Sequence, residues 1–258
     1  MPTKAPLLDC QALTVRFGGV LALFEVSFNV PEGSISALIG PNGAGKTTML
    51  NAVTGMVNSQ AGAITFNGRD ISSLAPHLRA GLGIVRTFQN LEIFSNMTVL
   101  ENVMAGCHNR VRYSTLASIF RTPSYFQGQK KCLEYAEQAL DFVGLSADRD
   151  CLAKEMPFGN QRLLELARAI AARPKLLLLD EPAAGLNMKE TRTLAEIIKR
   201  IRRELGITVA LVEHDMDLVM SISDLVTVIE FGCFLAKGTP AQIQSNQQVI
   251  AAYLGEEA

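Results

Sequence analysis

The segment Gly40-Pro41-Asn42-Gly43-Ala44-Gly45-Lys46-Thr47 follows directly on the apolar run Ile35 to Ile39 and precedes a helical stretch, Thr48 to Met56. It fits the pattern GxxxxGK[ST] between a strand and a helix, and no other feature constrains the fold as tightly. The glycines let consecutive backbone N–H groups turn toward phosphate oxygens, Lys46 reaches the β- and γ-phosphates, and the Thr47 hydroxyl is offered to Mg²⁺. Gly40, Pro41, Asn42, Gly43, Ala44, Gly45, Lys46, Thr47 and Thr48 are therefore the candidate residues for binding a nucleoside triphosphate.

Composition narrows the classes of partner. At 258 residues the chain can bury a large core as one domain or two tightly joined subdomains. Lysine plus arginine number 24 against 25 acidic residues, a net charge of −1, which advertises neither nucleic acid nor an anionic membrane surface as a partner. No apolar run is long enough to cross a bilayer, and Met1-Pro2-Thr3-Lys4-Ala5-Pro6 leads into a strand-like segment, not a signal peptide. The chain reads as soluble and intracellular. Cys10, Cys107, Cys132, Cys151 and Cys233 are scattered without a CxxC pair, as reduced structural thiols are.

Periodicity predicts three stretches. Strand signals crowd the first: Leu7 to Phe17, Leu23 to Val30, Ser34 to Ile39, Ala63 to Asn67 and Gly83 to Phe88, punctuated by Pro31-Glu32-Gly33 and Asn67-Gly68. From Asn96 to Arg173 apolar residues fall at helical spacing, as in Val99-Leu100-Val103 and Leu133, Ala136, Leu140 and Val143. Strand and helix then alternate: Lys175 to Asp180, Met188 to Glu204, Ile207 to Glu213, Asp215 to Ser223 and Leu225 to Glu230. That order predicts a parallel core interrupted by a helical insertion and then resumed.

In Leu176-Leu177-Leu178-Leu179-Asp180-Glu181, four apolar residues suit a strand buried on both faces. Its carboxylates fall at the carboxyl end, where parallel α/β sheets place their ligands. Asp180 is a candidate to hold Mg²⁺ through water and Glu181 a candidate general base toward the attacking water. Alone, the same pattern would equally describe a buried strand ending in an acidic turn; the phosphate loop favours the functional reading.

Met156-Pro157-Phe158-Gly159-Asn160-Gln161-Arg162-Leu163-Leu164-Glu165-Leu166-Ala167-Arg168-Ala169-Ile170 resembles the signature motif of the ATP-binding cassette superfamily. Gly159, Gln161, Arg162, Ala167, Arg168 and Ala169 match LSGGQQRxLxxARA, and the motif lies about 20 residues before Asp180, as in that family. The resemblance spans essentially the whole chain. It implies an α/β fold: a P-loop NTPase, RecA-like core of mostly parallel sheet (residues 1–90 and 173–258), with an antiparallel β subdomain and an inserted helical subdomain (residues 91–172), together forming one nucleotide-binding domain over 1–258.

It also implies roles. Phe17, in Val15-Arg16-Phe17-Gly18-Gly19, takes the place of the aromatic that stacks on adenine. Gln89, in Arg86-Thr87-Phe88-Gln89, matches the glutamine that touches Mg²⁺ and senses the transmembrane partner, beside Thr47 and Asp180 as metal-site residues. His214 matches the switch histidine at the γ-phosphate and joins Lys46 and Glu181 as catalytic candidates. Gly159 and Asn160 belong to the signature that covers a partner's nucleotide. The sequence departs from the family pattern at Pro157, where a serine is usual, at Phe158 and Asn160, and at Asn187, where an aspartate usually crosses between protomers.

Within the superfamily the chain is most similar to the ATP-binding subunits of branched-chain amino acid importers. The resemblance rests on Arg86-Thr87-Phe88-Gln89, Asn96-Met97-Thr98-Val99-Leu100-Glu101-Asn102-Val103, the segment Cys107 to Lys130 with Arg121-Thr122-Pro123-Ser124, Glu181-Pro182-Ala183-Ala184-Gly185-Leu186-Asn187 and the tail Tyr253-Leu254-Gly255-Glu256. It implies ATP and Mg²⁺ as cofactors and ATP hydrolysis coupled to transport. The implied partners are transmembrane permease subunits, a second related ATPase subunit in a head-to-tail dimer and, indirectly, an extracytoplasmic substrate-binding protein, but no nucleic acid. The implied location is the cytoplasmic face of the inner membrane, held peripherally. Importers of urea or short amides and exporters of lipopolysaccharide remain open. A soluble ATP-driven clamp on nucleic acid or ribosomes shares the motifs, but usually carries a coiled coil or a second cassette, and neither is present here.

Overall fold

The computed structural model describes residues 6–89, 91–107 and 123–254. The chain divides into two compact units, Met1–Arg86 with Lys175–Ala258, and Thr87–Pro174. Among the described residues, no helix is long and apolar enough to cross a membrane.

The first unit opens with β1 (Pro6–Phe17) and β2 (Val20–Pro31), a long antiparallel hairpin turning at Gly18-Gly19, then β3 (Ile35–Ile39) and α1 (Lys46–Thr54). β4 (Ala61–Phe66), β5 (Arg69–Asp70), α2 (Pro76–Gly81) and β6 (Ile84–Arg86) follow. β1, β2, β4 and β5 form an antiparallel sheet in the order β2-β1-β4-β5. β2 begins earlier than the sequence predicts, because Val20 to Phe24 is a continuous apolar run with no period-two alternation.

The second unit carries α3 (Val99–Gly106), α4 (Pro123–Val143) and α5 (Phe158–Ala171). Thr98 caps α3 by accepting from the Glu101 N–H at 3.2 Å, while Glu101 accepts from the Thr98 N–H at 2.8 Å, a reciprocal capping box. Val99, Val103, Ala136, Leu140, Leu164, Ala167 and Ile170 are buried along the three helices. Most of the predicted insertion from Cys107 to Lys130, residues 108–122, lies outside the described residues, as do Gly255 and Glu256 of the tail.

The chain re-enters the first unit with β7 (Leu176–Asp180), α6 (Met188–Leu205), β8 (Thr208–Val212), α7 (Met216–Ile222), β9 (Leu225–Glu230), β10 (Cys233–Gly238), α8 (Pro240–Gln244) and α9 (Gln247–Leu254). The six-stranded sheet has the order β10-β9-β3-β8-β7-β6 and is parallel except at its β10 edge. β3, β7 and β8 are buried along their whole length, as expected of parallel strands covered on both faces. β3 pairs with β9 on one side and β8 on the other, and the connection from β8 to β9 crosses over it. Sheets of this kind open a crevice at that point, beyond the carboxyl ends of the strands. One apolar cluster joins the two sheets through α1: Leu8, Leu13, Val26 and Phe28 from the antiparallel sheet, Met49, Leu50 and Val53 from α1, and Leu38, Leu176, Leu178 and Val212 from the parallel one.

The five cysteines are unbridged; Cys10, Cys107 and Cys132 are buried, Cys151 and Cys233 exposed. Burial pushes the Cys10 and Cys107 thiols well above the ordinary thiol range, which leaves them as inert apolar filling.

Candidate nucleotide site

The crevice beside β3 is filled by the phosphate loop. Two glycines are obligatory there: a Cβ on Gly40 would collide with the Ile229 carbonyl oxygen, and Gly45 has φ +99° with the Ala22 carbonyl 2.6 Å from where a Cβ would stand. The Lys46 ammonium, buried at the start of α1, donates to the carbonyls of Gly40 at 2.7 Å and Pro41 at 2.8 Å. The loop's own backbone thus holds the cation at its centre. The first-turn amides of α1 have no intrahelical acceptor and carry the positive end of the helix dipole, so they supply anion-binding donors.

A cavity of about 490 Å³ lies over this loop, lined by Val20, Leu21 and Ala22 of β2, the loop residues Asn42 to Thr48, Glu181, Phe231 and Gly232. All of these belong to the first unit. Its volume falls in the range of sites that hold a drug-sized or nucleotide-sized ligand. Glu181 stands at its rim just past β7 with φ +47°, a conformation that strains any residue with a Cβ. Its N–H donates to the Val212 carbonyl at 2.9 Å, which fixes the turn against β8. Glu181 and Phe231 are two of the six non-glycine residues with positive φ among those described, and both line this cavity.

Asp180, at the last position of β7, is almost wholly buried. Its Oδ2 accepts from Arg86 Nη2 at 2.6 Å, with the two side chains only 5% and 2% exposed. Arg86 Nη1 donates in turn to Asn51 Oδ1 on α1 at 2.6 Å, so one guanidinium ties β6, β7 and the phosphate-loop helix together. Asp180 Oδ1 is buried without a hydrogen-bond partner. That orphaned oxygen fits a hydrated cation. Among the described residues no group of three or more His, Cys, Asp and Glu side chains converges on a metal position. A site made of one carboxylate, the Thr47 hydroxyl and the nucleotide's own oxygens suits Mg²⁺, which keeps much of its water.

His214 is exposed at the end of β8, its Nδ1 3.9 Å from Glu181 Oε2 and 3.8 Å from Glu213 Oε2. Sequence reasoning missed Glu213. Its side chain is fully buried, and Oε1 accepts from the Ala183 N–H at 2.8 Å while Oε2 accepts from the N–H groups of His214 at 3.0 Å and Asp215 at 3.3 Å. One carboxylate therefore fastens the turn after Glu181 to the turn that carries His214. Burial pushes this carboxyl above the usual range, only partly offset by the three amides donating to it. The available signal was a carboxylate directly after the buried run Val209 to Val212.

Phe17 ends β1, paired with Val20 and half exposed; it stands beside the cavity but is not among its lining residues. Asn187 is the cap of α6: its Oδ1 accepts from the N–H groups of Lys189 at 3.0 Å and Glu190 at 3.1 Å. Asparagine and aspartate cap equally well, so this departure from the family pattern leaves the helix start intact.

Gln89 and the signature belong to the second unit. Arg162 Nη2 donates to the Gln89 carbonyl at 2.8 Å, and Arg162 pairs with Glu165 at 3.3 Å, both side chains nearly buried. Glu165 also accepts from the Phe88 N–H at 3.3 Å. The signature helix and the Gln89 segment are thus one braced body. α5 begins at Phe158 with Pro157 as its cap residue, which makes no side-chain capping bond. Gly159 and Asn160 lie in the first turn, where amide hydrogens have no intrahelical partner.

The chain matches the family described as ABC transporter over residues 23–184, and the family described as branched-chain amino acid ATP-binding cassette transporter over residues 235–258. It is 46% identical to the high-affinity branched-chain amino acid transport ATP-binding protein BraF of Pseudomonas aeruginosa, covering 97% of this chain and 98% of that one. It is 43% identical, with the same coverage of each, to the high-affinity branched-chain amino acid transport ATP-binding protein LivG of Escherichia coli. Among solved structures it resembles the ADP conformation of an ATP-binding cassette of an ABC transporter, at TM-score 0.83 and 31% identity, covering 98% of this chain and all of the other.

Proposed function

We propose that this chain, which belongs to the ABC transporter family, is the ATP-hydrolysing subunit of an importer of branched-chain amino acids. The observation that carries the chemical half of this reading is the cavity bounded by the phosphate loop and by Glu181 in its strained turn. The cargo rests on the likeness to BraF and LivG over nearly the full length of each chain.

In this reading the amides of Gly43 to Thr48 and the Lys46 ammonium cradle the β- and γ-phosphates, leaving the γ-phosphorus facing Glu181. The Glu181 carboxylate accepts a proton as water oxygen bonds to that phosphorus and the bond to the ADP oxygen breaks. His214, beside Glu181, steadies the γ-phosphate oxygens as charge shifts onto the leaving group. Thr47 and Asp180 hold Mg²⁺, which when bound draws negative charge from the phosphates. Arg86 keeps the Asp180 carboxylate turned with Oδ1 available.

The transport half needs partners. A second, related ATPase subunit completes the site with its own signature, while Pro157, Gly159 and Asn160 of this chain cover the partner's nucleotide. Permease subunits receive the motion through the unit that carries Gln89, and an extracytoplasmic binding protein delivers the cargo. In this reading the chain works at the cytoplasmic face of the inner membrane, held there peripherally by the permease subunits.

Glu181→Gln tests the catalytic assignment, because the amide is nearly isosteric but cannot take the proton. Nucleotide binding should persist while turnover falls by about three orders of magnitude. Turnover at the wild-type rate removes Glu181 from the role of base.

A further inference from the structure

The geometry points to Phe231 as a second aromatic wall of the nucleotide site, stacking on the purine base; the inference rests on reading the cavity as the ATP site. Phe231 sits at the tip of the β9–β10 hairpin and is 86% exposed, against 49% for Phe17. A phenylalanine this exposed forfeits its hydrophobic burial, which makes its placement informative. It is also held at φ +46°, a region costly for a side chain with a Cβ.

The backbone next to Phe231 is anchored at the cavity. The Gly232 N–H donates to the Ala44 carbonyl of the phosphate loop at 3.1 Å, and the Gly232 carbonyl accepts from the Phe24 N–H of β2 at 2.7 Å. The residue after Phe231 is thereby pinned to both walls of the cavity. The lining is of two kinds: the loop amides, Asn42, Lys46, Thr47, Thr48 and Glu181 are polar, while Val20, Leu21, Ala22 and Phe231 are apolar. A nucleoside triphosphate has the same polarity, charged at the phosphates and aromatic at the base. With the phosphates on the loop, the base falls on the apolar part of the lining, to which Val20 and Phe231 both contribute. Stacking of this kind accepts any purine, so Phe231 adds affinity more than discrimination.

The chain contains no tryptophan, so Phe231→Trp places a single indole at the position in question. Titrating that full-length variant with Mg-ATP should quench its emission, and titrating it with inorganic tripolyphosphate should not. Phe231→Ala should weaken ATP about five- to tenfold and leave tripolyphosphate binding unchanged. Phe231→Asn, whose side chain suits the left-handed backbone, should reproduce that loss, and Phe231→Tyr should restore affinity. Wild-type ATP affinity in Phe231→Ala or Phe231→Asn overturns the proposal, as does an indole that responds only when membrane subunits are added. If Lys46→Ala binds ATP as well as the unmodified chain does, the reading of the cavity itself fails; if only the Phe231 variants are silent, the stacking wall alone fails.

Discussion

Arg86 shows how much of this site depends on a single side chain. A guanidinium and a carboxylate taken this far out of water each offset the other's desolvation, and the Asn51 amide oxygen accepts a further N–H. Removing the guanidinium leaves Asp180 as a buried charge without a counterion, a loss worth about 3 to 5 kcal/mol of stability. Because Arg86 also fixes the orientation of that carboxylate, Arg86→Met should raise the Mg²⁺ concentration needed for half-saturation roughly tenfold. Arg86→Lys, which keeps the charge but not the fork, should recover most of the metal affinity and less of the stability. Manganese binding in the presence of ADP, followed by its paramagnetic signal, reads the first quantity, and urea unfolding the second. Unchanged metal affinity in Arg86→Met would separate Arg86 from the metal site. Neither this pair nor Glu213 was legible in the sequence: Arg86 and Asp180 are 94 residues apart, and no spacing rule connects them.

At the scale of elements, the strand ends do the positioning. Glu213 follows β8 and ties its own turn to the one after β7. In Glu213→Gln the amide group must face backbone N–H donors, costing about 1 to 3 kcal/mol. Burial raises the carboxyl's folded value above its unfolded one, so its contribution to stability is full below the unfolded value and is lost as pH rises through the folded value. The amide does not titrate. The deficit of Glu213→Gln should therefore be widest near pH 5 and narrow toward pH 8, as compared by urea midpoints; a deficit that widens with pH contradicts the raised value. Pro157 acts at the start of α5, where it offers neither N–H nor side-chain cap. Pro157→Ser should stabilise the helix by about 1 kcal/mol. It should also accelerate single-turnover hydrolysis at the partner's site about ten- to a hundredfold, by restoring a donor to the γ-phosphate. An unchanged rate at the partner's site would show that Pro157 withholds no donor from its γ-phosphate.

The longer elements were readable because they repeat a pattern. Leu176 to Asp180, Thr208 to Val212 and Met188 to Leu205 lie within a residue or so of where hydrophobic periodicity puts them. What escaped was short or unpatterned: α2, with six residues, the C-terminal helices α8 and α9, and the edge strand β10. β10 reads Cys-Phe-Leu-Ala-Lys-Gly, with a single buried residue and too little alternation to announce a strand, so the β9–β10 turn carrying Phe231 went unnoticed. The phosphate loop was legible because its backbone geometry demands glycine at fixed places, whereas Phe231 reaches the cavity only through the pairing of β9 with β3.

For the whole molecule, every role assigned above converges on ATP hydrolysis driving import of an apolar amino acid. The most direct test is uptake. The complex of this chain with its permease subunits and partner ATPase, isolated from membranes and rebuilt in liposomes, would be supplied with ATP on the side of the ATPases and with the extracytoplasmic binding protein and labelled leucine on the other. Leucine should accumulate against its gradient, competed by isoleucine and valine, and accumulation should cease when Glu181→Gln replaces the native chain. ATP hydrolysis that proceeds without leucine uptake, or uptake that survives Glu181→Gln, would contradict the account.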